Sequence, residues 1–157
     1  MIAISSGKVH DLVNTAATAS FVLAGLSTAR LDLLACATGL LIGTIWLSPD
    51  LDLPRSNPSS RLGIVRLLYA PYRKLCGHHR SILSHSPVLS NLIRFVYTFT
   101  PFIALAVVSG HQDTVKTIFN SELFLWFYLG LEISTIVHLI LDWQYSLRKR
   151  FRKGLSI

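Results

Sequence analysis

Charge is scarce in this chain: Asp, Glu, Lys and Arg make up 15% of its 157 residues, against about 25% in an ordinary soluble domain. Cysteine is nearly absent. Cys36 stands in an apolar run and Cys76 in a basic stretch, so a disulfide framework, a thiolate zinc knuckle and a Cys-x-x-Cys redox pair are all excluded. The strict apolar–polar alternation of half-buried strands is missing, and no internal repeat is present. With 51% apolar residues and a mean hydropathy of +0.49, disorder and coiled coil are excluded too.

What is present is length without charge. Four apolar runs cover residues 13–29, 33–49, 92–109 and 123–141, interrupted by Arg94 near one end and by Glu132 inside the fourth. At about 1.5 Å rise per residue, such runs approach the roughly 30 Å hydrocarbon thickness of a bilayer. The expected fold class is all-α: one helical membrane domain over residues 1–157 with four transmembrane helices and a long loop at 50–91. The first run is the most dilute, because Asn14, Thr15, Thr18 and Ser20 interrupt it. It ends in the small residues Ser27-Thr28-Ala29 but lacks the basic start of a signal peptide. A soluble helical protein with a large core is the competing reading of the same runs.

The net charge of +7 is concentrated rather than spread. Twelve of the 15 basic residues lie before the first run, between the second and third, or after the fourth. Positive-inside bias then places both termini and the long loop on the cytoplasmic side of an inner membrane. Membrane orientation accounts for the basicity, and no basic face with interleaved aromatics points to nucleic acid. Within the loop, residues 54–60 read as a turn-rich connector. Residues 61–70 read as a short basic amphipathic helix at the membrane surface or against the protein itself, stopped by Pro71.

The few imidazoles and carboxylates are unevenly placed. His10 and Asp11 precede the first run, Asp50 and Asp52 follow the second, His78, His79 and His85 precede the third, and His138 and Asp142 close the fourth. All fall at the expected cytoplasmic ends; Asp32, His111, Asp113 and Glu122 fall at the other. His138 and Asp142, four apart, share one helical face, and Asp50 and Asp52, two apart, project to one side of an extended chain. Imidazole and carboxylate without thiolate suit a divalent ion, zinc first and manganese or iron next.

Candidate ligands are His10, Asp50, Asp52, His79, His85, His138 and Asp142. A catalytic zinc needs three protein ligands and a water, so the surplus implies two ions or one ion with many supporting groups. Asp52 and Asp11 are candidate bases, and Arg80 is a candidate clamp for an anionic group. Glu132 lies off the His138 face, as a supporting group or a tie between helices. Gly39-x-x-x-Gly43 would let another helix approach closely.

Ser6-Gly7-Lys8-Val9-His10-Asp11, Ser48-Pro49-Asp50-Leu51-Asp52, His79-Arg80-Ser81-Ile82-Leu83-Ser84-His85-Ser86 and His138-x-x-x-Asp142-Trp143 resemble, in this order, the motifs of a bacterial family of uncharacterised metal-binding membrane proteins. That family is similar to the membrane-bound metal-dependent hydrolases, the group that includes the LexA-regulated inner-membrane hydrolases. The resemblance spans the whole chain. It implies a multi-pass helical protein with a His/Asp metal site and hydrolase activity. The extra histidine, His78, leaves the choice between His78 and His79 open. The expected substrate is a small phosphoester or lipid-like molecule. A non-catalytic bracing or sensory metal site, or a di-iron redox centre, is the alternative.

Overall fold

A computed structural model describes the backbone of residues 7–154 and side chains as far as residue 151. Ser6, the first residue of the N-terminal motif, and the side chains of the tail cations Arg152 and Lys153 lie outside the described residues. Four long helices carry the fold: α1 (Gly7–Thr28), α2 (Leu31–Ile45), α6 (Leu89–Val108) and α8 (Glu122–Gly154). Between α2 and α6 lie the short helices α3 (Asn57–Arg61), α4 (Ala70–Cys76) and α5 (Ile82–His85), with 3₁₀ turns at Pro49–Asp52 and Gly63–Tyr69. The amphipathic helix α7 (Gln112–Phe119) joins α6 to α8. No strand occurs among the described residues.

The hairpin between α1 and α2 turns at Ala29, whose φ is 52°. Asp32 starts α2 with its carboxylate on the Leu33 N–H at 2.9 Å, where the helix dipole favours negative charge. The closest packing is between α2 and α8, and its cause is the absence of side chains. A Cβ on Gly39 would stand 1.9 Å from the carbonyl oxygen of Phe127, and one on Gly130 would stand 2.0 Å from that of Cys36. The two backbones therefore touch, as small residues allow between helices. This contact sets the end of α2, and hence Asp50, beside the middle of α8, and hence His138.

Three helices among the described residues, over Leu31–Asp52, Leu89–Val108 and Glu122–Phe151, are long and apolar enough to cross a membrane. Four were expected. Residues 13–29 do form part of a helix, but its polar residues dilute it too far; His10, Asn14 and Thr18 face inward with Gly25, while Thr15 and Ser20 are exposed. The last helix also outruns its expected end at 141, because nothing breaks it before the basic stretch and it continues to Gly154.

The segment 50–88 forms a cap rather than an open loop. Ser56 caps α3 by accepting the Ser59 N–H, so part of the expected connector is helical. Pro71 does not stop a helix; it sits in the first turn of α4, where a missing N–H costs nothing. Leu51, Tyr69, Tyr72 and Cys76 form the buried core of the cap. Arg73 ties it together by donating to the Leu51 carbonyl at 3.2 Å, the Arg66 carbonyl at 3.0 Å and the Ser59 hydroxyl at 3.2 Å. At the opposite end of the bundle, α6, α7 and α8 border an open apolar groove of about 580 Å³ lined by Phe99, Phe102, Phe119 and Phe124 among others.

Candidate metal centre

Five separated segments deliver the polar groups to one end of the bundle. The first turn of α1 brings His10, and the 3₁₀ turn after α2 brings Asp50 and Asp52. The link before α5 brings His79 and Arg80. α5 brings His85, and α8 brings His138 and Asp142. Three overlapping groups result, each with its ligand atoms within 4.8 Å of one another: His10, His138 and Asp142; Asp50, His85 and His138; Asp52, His79 and His85.

At the centre, one oxygen of Asp50 faces two imidazoles, lying 3.5 Å from His138 Nε2 and 3.7 Å from His85 Nε2. Both nitrogens are buried and have no hydrogen-bond partner. The separations exceed the 2.7–3.2 Å of a good N–H···O bond. They lie at or just beyond the spacing of two ligands of a common ion, since bonds of about 2.0–2.2 Å at tetrahedral angles set ligand atoms about 3.3–3.6 Å apart. Orphaned buried nitrogens are costly without a partner, and a divalent cation is the partner this donor set fits. Ser84 Oγ lies 2.8 Å from His85 Nδ1, which leaves Nε2 as the free nitrogen, as supporting groups do for ligating imidazoles.

On one flank, His10 stacks on His138 with ring centres 4.2 Å apart, and His10 Nε2 lies 3.5 Å from Asp142 Oδ1. Arg80, held at a positive φ of 63°, forms an ion pair with the other Asp142 oxygen at 2.8 Å while its side chain stays 46% exposed. On the other flank, His79 Nδ1 lies 3.1 and 3.2 Å from the two Asp52 oxygens, and Asp52 Oδ2 lies 3.7 Å from His85 Nδ1.

Of the pair left open by the sequence, both exposed, His79 joins a group and His78 is in none of them. Asp11, a candidate base, is turned away: Arg61 donates to both its oxygens at 2.5 and 3.3 Å, and the Asn57 side-chain amide donates at 3.3 Å. It follows His10 on a helix and so faces about 100° round from it. Cys76 stays out of the centre as a thiol, its ionisation pushed up by burial.

Sequence reasoning gave no role to Arg94, the charge inside an apolar run. It is fully buried. It donates to the Ser84 carbonyl at 3.1 Å, to Ser90 Oγ at 3.3 Å, to Asn91 Oδ1 at 2.6 Å and to Thr135 Oγ1 at 3.0 Å. Asn91 in turn donates to the Leu131 carbonyl at 3.1 Å. The guanidinium thus fastens the turn carrying His85 to the part of α8 one turn before His138. Glu132, expected to tie elements, accepts the N–H of Val88 at 3.1 Å, a residue held at a φ of 61°.

Residues 5–152 match a family model described as uncharacterized metal-binding protein (DUF2227). The chain belongs to this family. A relative from Aquifex aeolicus (strain VF5), itself named only an uncharacterized protein, is 34% identical over 130 residues, covering 72% of this chain and 91% of its own. No solved structure matches. The family's description and the orphaned imidazoles agree on metal binding, and neither specifies the metal.

Proposed function

We propose that this protein is a metal-dependent hydrolase of the inner membrane, its His/Asp centre opening at the cytoplasmic face and acting on a phosphoester or lipid-like substrate. The observation that carries the reading is the convergence of His85 Nε2 and His138 Nε2, both buried and unpartnered, on one Asp50 oxygen. A set of three protein ligands leaves a fourth position for water, as in catalytic rather than closed structural zinc sites.

The membrane part rests on an inverted distribution of polarity. His10, Asn14, Thr18, Asn91, Arg94, Thr135 and His138 are buried, while Leu12, Leu23, Leu26, Phe102, Leu105 and Val108 are exposed. Water would penalise that arrangement and hydrocarbon favours it. The concentration of basic residues around the cap end supports an orientation with that end, and both termini, in the cytoplasm.

A bound divalent ion, zinc first or manganese or iron, supplies Lewis acidity and a water acidified toward neutral pH. Arg80 has donors to spare beyond Asp142 and stands at the exposed rim, where it binds an anionic oxygen of the substrate. Asp52 fixes the His79 ring and is the carboxylate placed to accept a proton from water. Asp11 is committed to Arg61 and takes no part.

The test is elemental analysis of natively purified protein, followed by turnover of bis(p-nitrophenyl) phosphate and p-nitrophenyl butyrate before and after chelation. Chelator-sensitive turnover of either probe with zinc or manganese bound is the expected result. Tightly held metal with no turnover of either would leave a bracing role, and iron with an oxygen-dependent spectrum would make the centre a redox one.

A further inference from the structure

The geometry points to a centre for two ions rather than one, each held by two histidines and an aspartate, with Asp50 between them. His10, His138 and Asp142 form one triad and Asp52, His79 and His85 the other; they share no residue. Asp50 belongs to neither, and its Oδ1 faces one histidine of each, at 3.5 Å from His138 and 3.7 Å from His85. A carboxylate so placed would be within reach of both ions of a paired site, whose metals lie about 3.5–4 Å apart. This inference rests on the metal-holding part of the reading above and not on hydrolysis.

The competing arrangement has one ion on Asp50, His85 and His138, with the other four residues in support. Supporting carboxylates and imidazoles act by hydrogen-bonding the outward nitrogen of a ligating histidine. Here they do not. The outward Nδ1 of His85 is taken by Ser84 Oγ at 2.8 Å, whereas Asp52 stands off at 3.7 Å. His10 meets His138 ring against ring at 4.2 Å instead of through a nitrogen. His10 is 5% exposed and its Nδ1 has no partner, while its Nε2 stops 3.5 Å short of Asp142. A buried imidazole placed this way supports nothing in the central triad and has the surroundings of a ligand. With Asp52 ligating through one oxygen, its second oxygen keeps the proton-accepting role.

The experiment uses the full chain in detergent micelles, stripped with chelator and reloaded with Mn²⁺ alone, with metal per chain measured and the electron paramagnetic resonance spectrum recorded. The expected wild-type result is two ions per chain with an exchange-coupled spectrum. Asp142→Asn and His79→Gln, both at the rim, should each retain one ion with an uncoupled six-line spectrum. Asp50→Asn should lose the coupling. Unchanged thermal unfolding of the metal-free variants shows that their folds are intact. Saturation of the wild type at one ion per chain overturns the inference, as does an unchanged stoichiometry in both rim variants. Two coupled ions without turnover of either chromogenic probe would leave this inference standing and remove the hydrolase reading; one ion with turnover would do the reverse.

Discussion

At the scale of single residues, an unpartnered, buried ring nitrogen is the mark of the central ligands. His138 and His85 project unpartnered ring nitrogens into the centre, so His138→Ala or His85→Ala should lower metal per chain, by elemental analysis, without stopping membrane insertion. His111 precedes α7 at the opposite end and is exposed, so His111→Ala should leave both unchanged. Ser84 acts through His85: removing its hydroxyl in Ser84→Ala frees the ring to rotate and should weaken metal binding about 10–100-fold, the usual cost of losing such a supporting group. Chelator competition measures that, and unchanged affinity would mean that Ser84 packs rather than orients. Arg94 is a positioning residue of the same kind. Arg94→Lys keeps the charge but loses the fork that reaches Ser84, Asn91 and Thr135 together. The variant should shift the visible spectrum of the Co²⁺-loaded protein, which a change at the opposite end such as His111→Ala should not.

At the scale of helices, the α2–α8 contact decides whether the centre exists. Because Gly39 and Gly130 meet the opposing backbone rather than a flexible side chain, neither Gly39→Leu nor Gly130→Val can be absorbed by a rotamer change. Each should destabilise the folded chain by at least the roughly 1–3 kcal/mol of an overpacked core, read as a lower denaturation midpoint in micelles. Metal should be lost in parallel, since Asp50 and His138 sit on the two helices being separated. A Gly39→Leu protein with wild-type stability would show that the helices meet elsewhere. The Gly39-x-x-x-Gly43 spacing was visible in the sequence. Its partner was not, because Gly130 carries no motif of its own and only the crossing of the two helices makes it necessary.

For the whole molecule, inverted polarity and one-sided charge make a topological prediction. Single cysteines in a Cys36→Ser, Cys76→Ser background, one replacing His111 and one replacing Arg148, should react with an impermeant maleimide from opposite sides of sealed inner-membrane vesicles. Labelling from the same side, or release of the chain by alkaline carbonate, would remove the membrane orientation.

The helical class, the apolar lengths and the clustering of His and Asp near helix ends were all determined by sequence, since each depends on composition and near-neighbour spacing. Three things were decided by tertiary structure alone. The first helix turns its polar stripe inward, Asp11 swings to Arg61 while its neighbour His10 enters the centre, and buried Arg94 links α5, α6 and α8. Each depends on which distant segment lies opposite, and for helices in contact that is settled by how closely two backbones can approach, a quantity no local pattern encodes.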